Sequence, residues 1–532
     1  MMSHKYAIDF GTTNSIVARW DDSSEVAQIL SLPELSDVSV GDHLPMIPSL
    51  VYIQDAVTDS VVCGQAVRDR GLDQQQDNRL FRNFKRGIVT RSVPDPREID
   101  GKSYRDHEAG WHFMRSLIDA LPHDSADIEQ LVVTAPVMAF ESYLDWLTGA
   151  VDDISPEKIR IVDESTAAAL GYAVSKPGAV VLVFDFGGGT LDLSLVQLPE
   201  HREKTGGLLQ RLRRGGATQH VARVIAKAGR VIGGSDIDQW LLAEVLQRAG
   251  ITPETLGNAY ASLLTRCEIA KIALSTEEQV TIAFDFQGRA YNIVLTRQEL
   301  ETLLETNGFY TALRRVVDKV MYAARQRGIF KEDIHYVLMV GGTSLMPSVQ
   351  HLLGQYFSDM AVRADKTFTA VAEGALQVAA GFGLDDYLIH SYGLRHLNEA
   401  TGEHEYDEIV AMGSRYPINK PIEVKLGAAH RNQSAVELVI GEIDTDTIAM
   451  IEVKYHDGQA IFVAGAGESE QRIVPLITEE HTLALLEPPG QPGEERLLAQ
   501  FTVDEHRRLR ASVIDTKTSK ELLRDVVIAA LR

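Results

Sequence analysis

The stretch that decides the fold of this chain reads Phe184-Asp185-Phe186-Gly187-Gly188-Gly189-Thr190-Leu191-Asp192. An apolar run precedes it, and another, Leu193 to Val196, follows it. Because three consecutive glycines break a helix, the pattern predicts two strands joined by a glycine turn. Backbone N–H groups in such a turn can surround a phosphate, and two carboxylates beside a phosphate require a divalent cation between them. For this stretch alone, an ordinary glycine-rich hairpin without a ligand is the alternative.

A second stretch near the N-terminus follows the same plan. It reads Tyr6-Ala7-Ile8-Asp9-Phe10-Gly11-Thr12-Thr13-Asn14-Ser15, and the apolar residues Ile16-Val17-Ala18 come next. Two such hairpins in one chain predict two related lobes that hold one phosphate tail from both sides. The P-loop mode of phosphate binding is excluded, because Gly-x-x-x-x-Gly-Lys-Ser/Thr does not occur in the sequence.

The two motifs together resemble those of the actin-like ATPase superfamily and, within it, the seventy-kilodalton heat-shock (DnaK-type) chaperones. The resemblance is strong over residues 4–384 and moderate over 390–532. It implies an α/β fold: a two-lobed actin-like ATPase domain, made of two ribonuclease-H-like halves, over residues 1–384. An interdomain linker (385–391) and an all-β sandwich for substrate binding (392–532) would follow, without the family's helical lid.

The composition limits the classes of partner. The 532-residue chain carries a formal charge of −23, which opposes general binding to nucleic acids or anionic membranes. No apolar run approaches the roughly 20 residues of a membrane span. Strand-like sequence begins at Lys5, which leaves no room for a signal peptide. The chain contains only two cysteines, so the sequence predicts a cytoplasmic protein without a disulfide framework.

The resemblance implies a catalytic set made up of Lys85, Glu164, Asp185, Thr190 and Asp192. In that scheme Lys85 and Glu164 position the attacking water, while Thr190 and Asp192 contact phosphate or water. Two readings without catalysis stay open: Lys85 as a solvated lysine and Glu164 as a helix N-terminal acid. Because Arg82 and Arg86 flank Lys85, the register of this segment is open by a residue.

The implied ligands are ATP or ADP with Mg²⁺, and K⁺ is a further candidate. Asp9 and Asp185 would hold the hydrated Mg²⁺ ion. The residues expected to contact the nucleotide are Gly11, Thr12, Thr13, Asn14, Gly187, Gly188, Gly189, Gly233, Gly234, Glu268, Lys271, Ser275, Gly341 and Gly342. Glu268, Lys271 and Ser275 are spaced to share one helix face, and a surface helix with one salt bridge is the alternative for them.

Several positions depart from the family pattern. Leu144 stands where the family has an arginine that relays the nucleotide state, and Ser165 replaces a proline beside Glu164. Ile272 and Leu345 replace arginines that often flank the adenine base. The apolar part of the linker is only Tyr387-Leu388-Ile389. Leu144, the short linker and the missing lid together predict weak coupling between the two domains.

A basic stretch in the second lobe has two interpretations. It contains Arg202, Lys204, Arg211, Arg213, Arg214, Arg223, Lys227 and Arg230. It is either a docking patch for an acidic partner or a solvated elaboration of a surface hairpin.

The sequence therefore predicts an ATP-dependent chaperone of the heat-shock-70 type. It would hydrolyse ATP and bind extended apolar segments of unfolded polypeptides with fast exchange, with co-chaperones as further partners. Leu426, Ala429 and Val436 are the candidate groove positions, although they equally suit the core of the sandwich. The alternatives are a small-molecule kinase on the same fold and an ATP-holding binding module or exchange factor without hydrolysis.

Overall fold

The computed structural model divides the chain into two compact units, Met1–Leu384 and Asp385–Arg532. It describes residues 4–24, 26–37, 44–75, 77–89, 95–122, 127–137, 139, 141–172, 176–199, 221–257, 259–357, 362–398, 403–444, 451–456, 459–464, 472–476 and 483–531. Among these residues, no helix has the length and apolar content that crossing a bilayer requires.

The first lobe of the N-terminal unit is built on a mixed sheet. Its elements are β1 (Lys5–Asp9), β2 (Asn14–Asp21), β3 (Val26–Ile29), β4 (Ile47–Pro48), β5 (Leu50–Asp55), β6 (Ser60–Cys63), α1 (Gln65–Asp69), β7 (Leu80–Arg82), α2 (Phe84–Val89), β8 (Arg97–Ile99), β9 (Lys102–Tyr104), α3 (Asp106–Asp119), β10 (Gln130–Ala135), α4 (Glu141–Gly149), β11 (Ile159–Asp163) and α5 (Glu164–Gly171). The strand order is β11-β10-β1-β2-β3, with β4 beside β2. Strand β1 pairs antiparallel with β2 and parallel with β10.

The second lobe repeats this plan. Its elements are β12 (Val180–Phe186), β13 (Leu191–Gln197), β14 (Val221–Arg230), α6 (Gly234–Ala249), α7 (Pro253–Leu256), α8 (Ala259–Ala273), β15 (Gln279–Phe286), β16 (Arg289–Thr296), α9 (Arg297–Thr306), α10 (Phe309–Gln326), β17 (Ile334–Val340), α11 (Pro347–Tyr356), β18 (Val362–Arg363), α12 (Ala370–Ala379) and β19 (Gly383–Asp385). The strand order is β18-β17-β12-β13-β14-β19. Strand β12 pairs antiparallel with β13 and parallel with β17, as β1 does with β2 and β10.

The two hairpins predicted from the sequence are therefore the central strands of two similarly paired sheets. The registers place Asp9 opposite Ile16 and Asp185 opposite Asp192, so both Asp-Phe-Gly motifs lie where a central strand ends in a turn. Strand β12 is buried along its whole length, which explains its continuous apolar sequence. The α/β fold class predicted from the sequence is confirmed.

Helices α5 and α12 pack against each other through small residues. A Cβ atom added at Gly171 would lie 1.8 Å from the carbonyl oxygen of Ala370, and one at Gly374 would lie 1.8 Å from that of Ala167. Glycine at these two positions thus lets the helix backbones approach closely. Because α5 begins at Glu164, this packing positions the N-terminal end of α5 firmly within the unit.

In the C-terminal unit, the described residues form strands and no helix. The strands are β20 (Ser391–Leu397), β21 (His404–Val410), β22 (Ile418–Gly427), β23 (Gln433–Glu437), β24 (Ile440–Asp444), β25 (Ile451–His456), β26 (Gln459–Ala464), β27 (Arg472–Leu476), β28 (Leu483–Gly490), β29 (Glu495–Val503), β30 (Arg508–Asp515) and β31 (Lys520–Ala530). One sheet has the order β21-β20-β24-β27 and another has β22-β29-β30-β31. Both sheets contribute to a single core, for example through Tyr392 and Phe501, as in a sandwich.

The predicted linker segment is well packed within this unit. Leu388 is fully buried in the same core as Tyr392, and its backbone exchanges hydrogen bonds with Ser414 and Gly413. Tyr387 forms a β-bridge with Arg415. The short apolar segment noted in the sequence thus contributes side chains to the core of the C-terminal unit.

Candidate functional site

A cavity of about 500 Å³ lies between the two glycine-containing turns of the N-terminal unit. The predicted site residues that line it are Asp9, Gly11, Thr12, Thr13, Asn14, Lys85, Glu164, Asp185, Gly187, Gly188, Gly189, Thr190, Glu268, Lys271, Ser275, Gly341 and Gly342. The cavity thus collects residues from both lobes that are separated by more than 300 positions in the chain.

The two turns approach each other so closely that side chains would not fit between them. A Cβ atom at Gly188 would lie 2.2 Å from Thr13 Oγ1, and one at Gly189 would lie 2.5 Å from Thr12 Oγ1. The glycines therefore leave the turn backbone accessible to a ligand between the lobes. Such an arrangement of N–H groups suits an anion.

Three predicted site residues do not line this cavity. Gly233 and Gly234 lie behind the glycine turn, where the Gly234 N–H donates to the carbonyl of Gly187 over 3.1 Å. Asp192 is buried, and its Oδ1 accepts a 3.0 Å hydrogen bond from the N–H of Val137. Gly234 thus contacts the glycine turn, and Asp192 contacts the backbone that follows strand β10.

Lys85 is buried beside Glu164, with only 3% of its side chain exposed. Its Nζ donates to Glu164 Oε1 over 2.5 Å and to the carbonyl of Phe10 over 2.5 Å. This placement contradicts the interpretation of Lys85 as a solvated lysine. The neighbouring Arg82 and Arg86 instead reach residues of the second lobe, so they do not compete for the contact with Glu164.

Carboxylates crowd this end of the cavity. Burial and the charge of Glu164 raise the pKa of Asp9 to about 7. Burial also raises the pKa of Asp185 well above its usual range, and Glu164, Asp192 and Asp9 add to the effect. Burial alone would lower the pKa of Lys85, but Glu164 and other neighbouring negative groups hold it above its ordinary value. The excess of negative charge fits a site for a divalent cation.

The donor set further defines how such a cation could bind. Within the described part of the chain, no three His, Cys, Asp or Glu side chains are arranged to hold a metal ion. Mg²⁺ commonly keeps several waters and binds proteins through one or two carboxylates plus substrate phosphates. Asp9 and Asp185 at the ends of the two central strands fit that mode.

Helix α8 presents Glu268 and Lys271 to the cavity, and Ser275, two residues beyond the end of the helix, lines the cavity as well. Lys271 Nζ lies 2.8 Å from Asp238 Oδ1, and Glu268 pairs with Arg82 of the first lobe. Burial alone would raise the pKa of Glu268, but Arg82 and Lys271 hold it below its usual range. All three are thus part of the cavity wall and not of an isolated surface helix.

Two further polar contacts join the lobes on either side of Glu164. Asp163 forms a 2.8 Å ion pair with Lys227 of β14, and Ser165 Oγ lies 2.7 Å from Ser194 Oγ of β13. Only 2% of the Lys227 side chain is exposed, which removes it from both sequence interpretations of the basic stretch. Of that stretch, Arg202, Lys204, Arg211, Arg213 and Arg214 lie outside the described residues.

Comparisons with known proteins agree with this geometry. A sequence model described as Hsp70 protein matches residues 125–386. The chain is 28% identical over 388 residues to "Chaperone protein DnaK" of Thermotoga petrophila, covering 70% of this chain and 58% of that relative. It is 26% identical over 470 residues to "Chaperone protein DnaK" of Thermus thermophilus, covering 82% and 70%. These similarities support membership of the Hsp70 family.

The match spans less than two thirds of the Thermotoga relatives, since it covers 58% of the length of each of three of them. The residues of this chain that match the family model include Glu164, the second glycine turn and helix α8. The similarity to the Hsp70 family agrees with the α/β fold and with the presence of these motifs.

The departures from the Hsp70 pattern also have defined surroundings. Leu144 is buried in the core of the first lobe.

The candidate peptide-binding residues lie in the C-terminal unit. Leu426 and Val436 are partly buried against its core, whereas Ala429 is exposed and its N–H donates to Gln433. The role of these three residues as peptide contacts stays a prediction.

Sequence reasoning missed several cavity residues. The cavity is also lined by Ile16, Met46, Thr343 and Phe368. Asp238 does not line it but forms an ion pair with Lys271. Thr343 directly follows Gly341 and Gly342, so its position next to a predicted motif was a usable signal. Phe368 belongs to no recognisable motif, and the chain brings it to the cavity only through the packing of the segment before α12.

Proposed function

We propose that this Hsp70-family chain is an ATP-dependent chaperone that hydrolyses ATP in the cavity of its N-terminal unit. The observation that carries the proposal is the buried contact between Lys85 and Glu164. Both residues line the same cavity as the two glycine-containing turns. A buried lysine and carboxylate at a phosphate site suit the positioning of a water molecule. This feature favours hydrolysis over an ATP-holding module.

The reaction transfers the terminal phosphoryl group of ATP to water, so that one P–O bond breaks, another forms, and ADP and phosphate are released. Backbone N–H groups of the two turns hold the phosphates in line with the water, which is the main requirement of phosphoryl transfer. Lys85 Nζ donates toward the terminal phosphate and the water, and Glu164 accepts a hydrogen bond from that water. Asp9 and Asp185 would hold the hydrated Mg²⁺ ion, which would neutralise charge on the phosphates when bound.

The β-rich C-terminal unit is proposed to bind extended apolar polypeptide. In this mode main-chain hydrogen bonds supply affinity and side-chain pockets supply preference. Two observations favour weak coupling between peptide and nucleotide. Leu144 is buried where the family's relay arginine stands, and Leu388 is committed to the core of the C-terminal unit. Allosteric coupling is typically about 1–3 kcal/mol and acts equally on both ligands.

The proposal is tested by the rate of ATP turnover of the purified chain with and without an unfolded polypeptide. We expect measurable turnover and a weak stimulation by the polypeptide. A fluorescent apolar peptide should also leave the protein at similar rates with ATP and with ADP. Turnover that is absent in both conditions would contradict the proposed function. A release-rate difference above about thirtyfold, or roughly 2 kcal/mol, would contradict weak coupling.

The alternative is a small-molecule kinase on the same fold, which needs a polar substrate cleft and which the β-rich C-terminal unit disfavours. A coupled assay with sugars and polyols distinguishes the two. Phosphorylation of such a compound faster than hydrolysis would favour the kinase.

Arg82→Met is expected to accelerate nucleotide release by about tenfold. The Arg82 guanidinium of the first lobe donates to Glu268 and Thr265 of the second lobe, and a hydrogen bond to a charged group contributes about 1.5–3 kcal/mol. Stopped-flow release of a fluorescent ADP analogue measures the effect. Arg79→Met is the matched control, since Arg79 pairs with Asp100 within the first lobe. A rate for Arg82→Met within twofold of the control would show that this contact does not retain the nucleotide.

A further inference from the structure

The end of the cavity away from the two turns is mainly apolar. We define the base slot as the side chains of Ile272, Ser275, Leu345 and Phe368, all of which line the cavity. A nucleotide whose phosphates lie at the glycine turns and whose ribose lies near Glu268 and Lys271 would place its base here. The position of the slot thus follows from the proposed function.

An aromatic ring and an aliphatic side chain form one wall of the base slot. Phe368 and Leu345 line both the main cavity and a neighbouring cavity of about 320 Å³, so the two side chains stand between them. The Phe368 ring packs on the buried core of the unit, and its Cε1 would lie 3.5 Å from a Cβ atom at Gly342. A base that contacts this wall would meet a ring face and methyl groups.

We infer that the base slot accepts adenine and guanine alike, so that the chain binds purine nucleoside triphosphates as a class. The inference rests on the proposed function, because it needs a triphosphate at the glycine turns. It goes further in assigning Phe368 as the residue that holds the base and in predicting little discrimination between purines.

The polar groups around the slot support this inference. Adenine and guanine differ most at position 6, where adenine donates through an amino group and guanine accepts through a carbonyl. The Ser275 hydroxyl can rotate and serve either as donor or as acceptor. It therefore satisfies both bases and rejects neither.

Among the described residues that line the cavity, the other polar side chains near the base slot form ion pairs or hydrogen bonds within the protein. Lys271 and Glu268 pair with Asp238 and Arg82. The hydroxyls of the three neighbouring threonines donate to backbone carbonyls; they are Thr276, Thr343 and Thr367. These contacts use the hydroxyl protons of the three threonines, so none of the three donates a side-chain hydrogen bond to the edge of the base.

The size of the expected discrimination follows from the chemistry of the slot. Sites built to hydrogen-bond a substrate group reject the analogue lacking it by about 10⁴–10⁵, whereas apolar pockets distinguish close analogues by only about 10–200-fold. Both purines offer the same bicyclic face to Phe368. We therefore expect the Kd values for ATP and GTP to differ by no more than about tenfold.

Isothermal titration of the full chain with ATP and with GTP, each in the presence of Mg²⁺, tests the inference. A Kd ratio of about tenfold or less supports it. A larger ratio overturns the inference and leaves the proposed ATPase function intact. If neither nucleotide binds, the proposed function itself fails and the inference fails with it.

Substitutions in the slot give a second, independent measurement. Phe368→Ala is expected to weaken ATP and GTP equally, by about 5- to 150-fold, because base–aromatic stacking is worth about 1–3 kcal/mol. Phe330→Ala is the matched control, since its phenyl ring is exposed and does not line the cavity. If Phe368→Ala weakens the binding of only one of the two nucleotides, or of neither, then Phe368 does not hold the base and the inference is overturned.

The variant Leu345→Arg tests the same wall of the base slot and does not depend on whether Phe368→Ala folds. A guanidinium over the ring face is expected to tighten binding of ATP by about 2- to 30-fold. Unchanged or weaker ATP binding would show that this wall does not face the base, and would overturn the inference.

Discussion

Lys85→Ala is expected to lower ATP turnover by about 100- to 10,000-fold, the range that a positioned proton-transfer or hydrogen-bonding group typically contributes. The Nζ of Lys85 contacts Glu164 at the phosphate end of the cavity and lies away from the base slot. Because its contribution is made at the reacting phosphate, ATP affinity should change far less than turnover. Single-turnover kinetics together with equilibrium binding separates the two effects.

The matched control for Lys85→Ala is Lys102→Ala. Lys102 forms an exposed ion pair with Asp59, and surface pairs of this kind contribute about 0–1 kcal/mol. Its turnover should equal that of the unaltered chain. An unchanged turnover in Lys85→Ala, with thermal melting showing a folded protein, would mean that the lysine is misassigned, and Arg82 and Arg86 would be examined next.

Arg496→Met is expected to destabilise the C-terminal unit by about 3–5 kcal/mol, the usual effect of removing one partner of a buried ion pair. The Arg496 guanidinium donates to both carboxylate oxygens of Asp515, over 2.9 Å and 2.6 Å, and to the carbonyl of Pro488 over 2.5 Å. Only 2% of the Arg496 side chain and 1% of the Asp515 side chain are exposed. The substitution would leave the carboxylate buried without its bidentate partner.

The effect should depend on pH in a defined direction. Arg496 holds the pKa of Asp515 well below its usual range in the folded protein. A group with a depressed folded-state pKa stabilises the protein above its unfolded pKa of about 3.9 and loses that contribution as the pH falls further. The destabilisation by Arg496→Met should therefore be complete near neutral pH and shrink in strong acid.

Urea unfolding of the full chain, followed by a probe in the C-terminal unit, measures this change. Lys517→Met is the matched control, because Lys517 pairs with Glu494 at the surface, where about 0–1 kcal/mol is expected. The double substitution Arg496→Met with Asp515→Leu should recover much of the loss, since apolar replacement of both partners is often neutral. A single substitution that costs under about 1 kcal/mol would contradict the prediction.

Much of the fold could be predicted because its signals are local. Each Asp-Phe-Gly motif lies between an apolar strand and a second strand close by in the chain, so hairpin, turn and carboxylate are adjacent in sequence. The alanine run Ala167-Ala168-Ala169 after Glu164 favours a helix that packs closely on its neighbours, and Gly171 and Gly374 show that packing. The similar pairing of β1 and β12 agrees with the duplication inferred from the two motifs.

The site itself was only partly predictable. Lys85 and Glu164 are 79 positions apart, and sequence alone left Lys85 open to a solvated interpretation that its burial removes. Lys227 looked like a surface charge in a basic stretch, yet it pairs with buried Asp163. The neighbouring sequence does not show whether a charged residue is buried, because its burial depends on which other segments pack over it.

By itself, the sequence determined the resemblance to the Hsp70 family, the two hairpins with Asp9 and Asp185 at their turns, and the apolar side chains at positions 272 and 345. These features depend on residue type and short-range spacing, which the chain displays directly. Only the tertiary structure decided that Arg82 meets Glu268 from 186 positions away and that Phe368 completes the slot. Contacts of this kind arise where separate elements are packed together, and no periodicity or motif within either segment records them.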